Sequence, residues 1–537
     1  MRRKMRLLES LTGLTSRLDI SMRVSLPLAI LVLLATGCAA ESEDRPIAAT
    51  RIDQAVAPQQ ASDPYYQSAS DSVAMRAKAD FVPSAKNVII FVGDGMGVST
   101  ITAARIYAGQ KRAEDGVSYK LAMETLPNAA LSRTYSHDFQ VADSASTATA
   151  IVSGVKTRSR TLGLRSGVVV GNCASQAGQD TDTLFELAER QGLATGIVST
   201  ARITHATPAA TYAQAALRDW ENDMSFSDGD SGDCVDIARQ LIEWPDGDGF
   251  EVAMGGGRRQ FQTTETTDVE NDALSGGRQD GNDLTGAWSA KSDAHTVIYD
   301  QAGFDAVDFD SDVRVLGLFE PSHMQFELDR GDDISGEPAL ADLTRAAITR
   351  LSRAEQGYVL MIEGGRIDHA HHGGNAARAL ADTDAFDQAV AAALEMTNVS
   401  DTLIIVTADH SHTMTMAGYA RRDNPILGKV EYDTGVVARA DDGMPYTTLG
   451  YANGPGACRP DGAELDCTRQ DLAEIDTTAN DYRQDAKVPM RSETHGGEDV
   501  AIFASGPGSE LVRGVMDQNE IFHVMGFSSG LVTMPTE

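Results

Sequence analysis

Seven of the eleven histidines in this 537-residue chain lie in four short segments that also carry acidic or hydroxyl residues. These segments read "ITHATP", "EGGRIDHAHH", "TADHSH" and "ETHGGED". Imidazole and carboxylate ligands together suit zinc, whereas carboxylate and hydroxyl oxygens suit magnesium. A single histidine is more often a surface or core residue than a metal ligand. The clustering of seven of them with acidic residues therefore predicts a metal centre.

The spacing within these segments indicates which side chains can share an ion. A helix over residues 366–380 would place Asp368 and His372 four residues apart on one face, with the neighbouring histidines pointing elsewhere. Asp409 and His410 are adjacent at the end of an apolar run, where a turn can bring both to one metal ion. Asp94 and Glu363 end two similar runs.

The elements that carry these residues follow one pattern from about residue 87 onwards. Apolar, β-branched runs end in glycine or polar residues and are followed by segments of helical periodicity. The runs are "NVIIFVGDG", "ATGIVSTARITH", "FEVAMGGG", "VRVLGLFE", "YVLMIEGG", "TLIIVTADH" and "DVAIFASGPG". This alternation predicts an α/β fold with three α/β/α layers, in which helices cover both faces of a large, mainly parallel sheet. The carboxylates and imidazoles would meet at the carboxyl edge of that sheet, where ligands bind in open α/β folds.

One stretch of small residues, "VADSASTATA" (141–150), leaves two readings open. A serine that follows an aspartate and precedes such a run is typical of a helix N-cap. The same Ser144 could instead be a nucleophile, and the stretch alone does not decide between these roles.

The composition excludes some partners. The hydrophobic share of 42% and the charged share of 23% are ordinary for a globular protein, but the formal net charge is -33. Such a charge argues against nucleic acid as a partner and against adsorption to anionic lipid. It also repels anionic substrates at long range, so an anion site in this chain needs a local positive field.

The N-terminus is typical of an exported protein. From Met22 the chain reads "MRVSLPLAILVLLATGCAA", a basic start, an apolar core and small residues before Cys38. Residues 1–37 are predicted to be a signal peptide, with Met1 or Met22 as the start. The residues before Cys38 resemble a lipoprotein cleavage motif, although Ala35 stands where that motif usually has leucine. Lipidation of Cys38 would give a periplasmic or outer-membrane-anchored lipoprotein with a polar tether over residues 38–63, and the alternative is an ordinary signal and a soluble secreted protein.

The cysteines are consistent with export. Five are present, and removal of Cys38 with its anchor leaves an even number. Cys458 and Cys467 are close in sequence and are predicted to pair, which leaves Cys173 with Cys234. Four buried thiols are the alternative, and the absence of a C-x-x-C spacing argues against a cysteine metal site.

Six motifs, in the order in which they occur, resemble those of the alkaline phosphatases. They are "FVGDGMG", "DSASTATA", "HATPAATYA", "EGGRIDHAHH", "TADHSH" and "THGGEDVAIF", and the resemblance covers about residues 64–530. It implies a catalytic domain over residues 64–537, with an inserted crown-like subdomain over the Gly-, Asp- and Pro-rich residues 418–490. It also implies hydrolysis of small phosphate monoesters through a phosphoserine on Ser144, and a homodimer.

The resemblance assigns metal ions and residue roles, with two zinc ions and one magnesium ion per chain. The residues implied for the first zinc ion are Asp368, His372 and His495. Those for the second are Asp94, Asp409 and His410, with Ser144, and those for magnesium are Asp94, Thr207 and Glu363. Around them, His205, His369 and His412 would orient ligands and waters, and Arg218 in "AALRDW" would clamp two phosphate oxygens.

A calcium site away from the chemistry is also implied, because animal-type family members carry one and "LGLFEP" matches one of its segments. The candidate ligands are Glu270, the backbone carbonyl of Phe319, Glu320 and Glu337. The alternative is that these are plain surface carboxylates.

Three competing functions fit the sequence less well. A sulfatase would need proline at Ser146 and arginine at Ala148 for nucleophile modification. Related phosphodiesterases generally lack the third metal, for which Thr207 and Glu363 argue. A lipoprotein that only stores metal or binds phosphate should carry substitutions at the catalytic positions, and the sequence has none.

Overall fold

The computed structural model describes residues 46–226, 234–461 and 464–535. The predicted signal peptide and Cys38 lie outside the described residues. Within the described part of the chain, no helix is long and apolar enough to cross a membrane.

The strands β1 to β19 are Asn87–Gly93, Asn128–Arg133, Ala194–Arg202, Val252–Gly256, His295–Ile298, Arg314–Leu318, Tyr358–Gly364, Thr402–Ala408, Ser411–His412, Met414–Met416, Glu431–Asp433, Val436–Val437, Leu449–Gly454, Arg459–Asp461, Glu464–Asp466, Ala486–Pro489, His495–Gly496, Val500–Ser505 and Gly514–Asp517. The helices α1 to α14 are Ile47–Arg51, Pro64–Ala74, Val98–Lys111, Ser144–Ser153, Leu184–Arg190, Ala206–Ala209, Ile237–Ile242, Arg258–Phe261, Leu284–Ser289, Gln301–Ala306, Leu340–Leu351, Arg366–His372, Ala376–Met396 and Glu520–Ser529.

The central sheet has ten strands in the order β19-β2-β18-β8-β1-β7-β3-β4-β6-β5. Strand β18 pairs antiparallel with both β2 and β8, and the other neighbours pair parallel. Each of the seven apolar runs supplies one strand. The short strands β2, β5 and β19 lie outside those runs.

Alternate residues of the central strands face two separate hydrophobic cores. In β1, Val88, Ile90 and Val92 belong to one core, whereas Ile89 and Phe91 belong to the other. Because side chains alternate across a strand, a strand buried on both faces is continuously apolar. The predicted α/β class and its three layers are confirmed.

The sheet brings its carboxylates together through the neighbours of β1. This strand lies between β7 and β8, with Val92 opposite Glu363 and Gly93 opposite Ala408. Asp94 and Asp409 follow directly after β1 and β8. Three acidic residues therefore meet at one point of the carboxyl edge.

The predicted single helix over residues 366–380 is wrong. Helix α12 ends at His372, and α13 begins at Ala376 after Asn375 has capped it. Gly374 lies between them at φ +66°, a conformation that favours glycine. The break leaves Asp368 and His372 in one short helix, where their side chains still meet.

Residues 46–63 differ from the predicted tether. They include helix α1, in which Ala48 and Ala49 are each 1% exposed. The Arg51 guanidinium donates to the carbonyl of Ser529 at the end of α14, and Gln60 donates to the carbonyl of Ser153. These side chains donate hydrogen bonds to carbonyls that helix ends leave free. The polar residues of this segment therefore attach it to the folded domain.

Both predicted disulfides are confirmed, Cys173 with Cys234 and Cys458 with Cys467. The segment 418–490 contains the short strands β11 to β16. Its strands β13 and β16 form a small sheet with β10, which begins at Met414, before the predicted boundary.

Candidate metal centre

Three side chains expected to bind one zinc ion converge in the structure. The Nε2 atom of His495 lies 3.2 Å from Nε2 of His372 and 3.5 Å from Oδ1 of Asp368. Nε2 of His372 lies 3.3 Å from the same carboxylate oxygen. Two imidazoles and one carboxylate at these separations are a ligand set that zinc prefers, with one position left open.

His412 lies in the same group, but both of its nitrogens are already engaged. Nε2 lies 2.7 Å from Oδ1 of Asp368, and Nδ1 lies 2.5 Å from Oε2 of Glu493. Burial opposes the charged form, yet the hydrogen bonds to the two carboxylates raise the pKa of His412 to about 9. This arrangement suits a residue that orients Asp368 rather than one that binds metal itself.

Glu493 is a residue that the sequence analysis missed. It is buried, and its Oε1 accepts hydrogen bonds from the backbone and hydroxyl of Thr413. Its backbone carbonyl lies 2.5 Å from Nδ1 of His372. Glu493 thus contacts two of the clustered histidines. The only feature of the sequence that indicates this role is its position two residues before His495.

A second group of ligands lies around Ser144. Nε2 of His410 lies 3.4 Å from Oδ1 of Asp94, 3.2 Å from Oδ2 of Asp409 and 3.2 Å from Oγ of Ser144. The four side chains are at most 2% exposed. The predicted second zinc ligands and the candidate nucleophile therefore occupy one buried site.

The third group combines Asp94 with Glu363 and Thr207. The hydroxyl of Thr207 and Oε1 of Glu363 are buried without a hydrogen-bond partner, while Oε2 of Glu363 accepts from Ser199. An imidazole nitrogen of His205 also comes within 4.8 Å of ligand oxygens of Asp94 and Glu363. His205 is therefore near enough to this site for direct ligation as well as for an outer role.

The buried negative charge of these groups is stable only if cations neutralise it. Burial, and then the charges of Asp409 and Asp368, raise the pKa of Asp94. Both carboxylate oxygens of Asp94 lack a hydrogen-bond partner. A buried carboxylate without a partner is unfavourable unless a cation neutralises it. The donor atoms thus fit the expected metal ions.

Ser144 is the first residue of α4, and Asp143 is its N-cap. An Asp143 oxygen accepts from the backbone N–H of Ser146 at 3.3 Å. The prediction that Ser144 lies at a helix N-terminus is confirmed, but the capping side chain is that of Asp143. Every residue of α4 is buried, which explains why small side chains follow Ser144.

Arg218 reaches the same end of α4. Its guanidinium donates to Oδ2 of Asp143 at 3.1 Å and lies 3.0 Å from Nε2 of His205. Burial opposes ionisation of Asp143, but the Arg218 charge holds its pKa below the ordinary value. A fixed guanidinium and a helix N-terminus together provide the local positive field that the acidic chain requires.

His369 points away from the zinc ligands and joins a second cluster of imidazoles. Its ring centroid lies 5.4 Å from that of His205 and 4.0 Å from that of His323. Burial lowers the pKa of His369 to about 3, so the ring is neutral. His323 was also missed, because it lies alone in "EPSHMQ".

The predicted calcium ligands lie in a separate carboxylate cluster. Glu270, Glu320 and Asp333 bring oxygens within 4.8 Å of one another. Buried oxygens of Glu270, Asp333 and Glu337 lack partners, and the carbonyl of Phe319 accepts from Arg258. Burial and then the neighbouring Glu320 raise the pKa of Glu337 to about 9. Asp333 is a further candidate that the sequence analysis missed.

Comparisons with known proteins identify similar chains. The family model described as alkaline phosphatase matches residues 85–531. The tissue-nonspecific alkaline phosphatase isozyme of Gallus gallus is 43% identical over 453 residues, covering 83% of this chain and 84% of that protein. An alkaline phosphatase of Gadus morhua is 41% identical over 453 residues, covering 83% of this chain and 92% of that protein.

Solved structures have the same fold. Thermus thermophilus alkaline phosphatase is 25% identical with a TM-score of 0.59, covering 84% of this chain and 92% of that chain. Alkaline phosphatase from the Antarctic bacterium TAB5 is 23% identical with a TM-score of 0.56, covering 84% of this chain and 99% of that chain.

Proposed function

The chain belongs to the alkaline phosphatase family and is a metal-dependent hydrolase of phosphate monoesters, and we propose that Ser144 is its nucleophile. The observation that carries this assignment is the position of Oγ, 3.2 Å from Nε2 of His410 at the first turn of a buried helix. The helix N-terminus favours an oxyanion there, and a metal ion on the adjacent carboxylates favours it further.

We assign the metal ions to the three groups of converging ligands. Asp368, His372 and His495 would hold one zinc ion, and Asp94, Asp409 and His410 the other. Asp94, Thr207 and Glu363 would hold magnesium. When bound, these ions supply Lewis acidity for the attacking, leaving and hydrolytic oxygens.

The residues of the chain then act in two steps. The Ser144 oxygen loses its proton and attacks phosphorus, the P–O bond to the alcohol breaks, and the alcohol leaves with a proton. Arg218 holds two oxygens of the transferred phosphoryl group through its planar fork. Water next attacks the phosphoserine, which releases inorganic phosphate and restores the hydroxyl of Ser144.

His205 affects the choice of the third metal. Its nitrogen within 4.8 Å of Asp94 and Glu363 oxygens supports direct ligation as well as an outer role. A nitrogen donor would favour zinc over magnesium at this position. Metal content measured at defined zinc-to-magnesium ratios distinguishes the two occupancies.

A calcium ion in the separate cluster is a further part of the proposal. Its support is the set of unpartnered buried oxygens on Glu270, Asp333 and Glu337. Calcium takes six to eight oxygen ligands, and these side chains would supply them together with Glu320 and the Phe319 carbonyl.

The proposal extends to location and assembly. An exported protein anchored through lipidated Cys38, or else secreted in soluble form, is consistent with the signal-like N-terminus and two disulfides. We also propose a homodimer and no nucleic-acid partner, the latter from the net charge of -33.

The decisive experiment combines metal analysis with substrate comparison. Purified protein is expected to contain zinc and magnesium and to hydrolyse a chromogenic phosphate monoester much faster than a diester or a sulfate ester. Preferential cleavage of the diester or the sulfate ester would contradict the proposed chemistry.

A further inference from the structure

A cleft of 610 Å³ opens beside the candidate metal centre. Its inner lining includes His372 and His495 from the first zinc group, and Asp143, the neighbour of Ser144. A second cavity of 300 Å³ shares Met490 and Arg491 with it. The two cavities therefore adjoin at these residues, and we call them together the groove.

The outer wall of this cleft is apolar and exposed. Phe139 is 57% exposed, Val141 42% and Met490 43%. All three line the same cleft. Large apolar side chains that remain exposed around one concave surface are typical of a binding site for an apolar group.

The rim of the groove carries unpaired positive charge. In the described part of the chain, no hydrogen bond or ion pair engages the side chains of Arg491 and Arg483, which line the 300 Å³ cavity. Other exposed arginines, such as Arg160 and Arg345, are paired with carboxylates. In a chain of net charge -33, unpaired guanidinium groups beside an apolar wall favour an anionic ligand.

The direction of the reaction places the alcohol in this groove, if Ser144 is the nucleophile as proposed above. In-line displacement requires the leaving oxygen to lie opposite the attacking one. Ser144 contacts His410 and follows Asp143, which lines the cleft together with His372 and His495, so we place the departing alcohol on the cleft side.

We propose that the groove selects the alcohol part of the substrate. The preferred substrates are phosphate monoesters whose alcohol has an aromatic or similarly sized apolar body and a second anionic group. Phe139, Val141 and Met490 contact the apolar body, and Arg491 binds the anionic group. The phosphoryl site itself contributes nothing to this choice, because every monoester presents the same phosphate.

The test compares three substrates: glycerol 2-phosphate, phenyl phosphate and 4-carboxyphenyl phosphate. The variants are Arg491→Ala, Arg491→Lys and Phe139→Ala. The control is Arg439→Ala, which removes an exposed arginine of the inserted segment that does not line the groove. The measured quantity is kcat/KM, which includes binding and departure of the alcohol.

Arg491→Ala is expected to lower kcat/KM for 4-carboxyphenyl phosphate by about twofold to fivefold and to leave kcat/KM for phenyl phosphate nearly unchanged. Arg491→Lys should restore part of the loss. Phe139→Ala should lower kcat/KM for both aromatic substrates and leave kcat/KM for glycerol 2-phosphate unchanged. The control should change none of them.

Two results would overturn the inference. An equal loss on all three substrates would mean that Arg491 only attracts the phosphate dianion, and unchanged values would mean that the groove does not contact the alcohol. Failure of the wild-type protein to hydrolyse glycerol 2-phosphate would instead contradict the proposed function.

Discussion

Glu493 and His412 are joined by a 2.5 Å contact between Oε2 and Nδ1, while the opposite nitrogen of the same imidazole lies 2.7 Å from Asp368. The backbone carbonyl of Glu493 also lies 2.5 Å from Nδ1 of His372. Two of the side chains proposed to bind the first zinc ion are therefore oriented by one buried glutamate.

Glu493→Ala is expected to weaken zinc binding by about 10- to 100-fold, because outer partners fix the orientation of metal ligands. Glu493→Gln should lose less, since an amide can still contact both His412 and Thr413. Zinc affinity is measured by competition with a chelator. Glu498→Ala, which removes a contact to Ser411, is the control. Wild-type affinity in the alanine variant would contradict the role of Glu493.

Ser144→Ala should lower monoesterase activity by about 10³-fold or more, because the variant lacks the oxygen that forms the phosphoenzyme. Zinc content should remain close to that of the wild type, since three other ligands hold each ion. Acid quenching of the wild type during turnover should place phosphate on the peptide that contains Ser144. Full activity in the alanine variant would exclude Ser144 as nucleophile.

His523 should make the fold sensitive to acid. Its ring is buried beside Tyr66, Phe522 and Phe527, and burial lowers its pKa from 6.5 to about 3. Between these values the unfolded chain binds a proton that the native chain does not. The free energy of unfolding therefore falls as the pH falls through this window, by at most about 1.4 kcal/mol per pH unit for this group.

The variant His523→Phe tests this expectation by denaturant unfolding between pH 7 and pH 4. Its stability should depend less steeply on pH than that of the wild type, whatever its stability at neutral pH. Parallel curves for the two proteins would assign the acid sensitivity to other groups.

Calcium should raise the thermal stability of protein that has been stripped with a chelator and reloaded with zinc and magnesium. A ligand at 100 times its Kd stabilises the native state by about 2.7 kcal/mol. Asp333→Asn should lose this gain, whereas Asp332→Asn, an exposed neighbour, should keep it. Full recovery with zinc and magnesium alone would show that the carboxylate cluster binds no calcium.

The lipid anchor is tested by fractionation of the wild type and Cys38→Ala. Acyl chains on Cys38, at about 0.8 kcal/mol per buried CH₂, would retain the wild type on membranes, and the variant should move to the soluble fraction with its activity intact. A soluble wild type whose mature N-terminus lies beyond residue 38 would identify an ordinary secretory signal.

The meeting of three acidic side chains at the carboxyl edge could be predicted because these residues end continuous apolar strands. Asp94 and Asp409 follow such runs directly, and Glu363 closes another, so strand adjacency alone brings them together. The disulfides could be predicted because Cys458 and Cys467 are close in sequence, which leaves Cys173 to pair with Cys234.

Other features depend on contacts between distant segments. Glu493 reaches His412 only because β17 pairs with β9, and no periodicity in the sequence reports that pairing. Asp333 lies in an irregular segment, where neither strand nor helix periodicity fixes its direction. The break after His372 depends on the conformation of Gly374, and a glycine within a helical pattern is often tolerated.

The ladder of β9 and β17 pairs His412 with His495 and Ser411 with Gly496. It brings together the two ends of the segment that connects these strands, residues 413–494. Closing a longer excursion costs little additional entropy, because that cost grows only with the logarithm of its length. A change in the length of this segment should therefore cost the fold little, while the pairing of β9 with β17 keeps His412 beside His495.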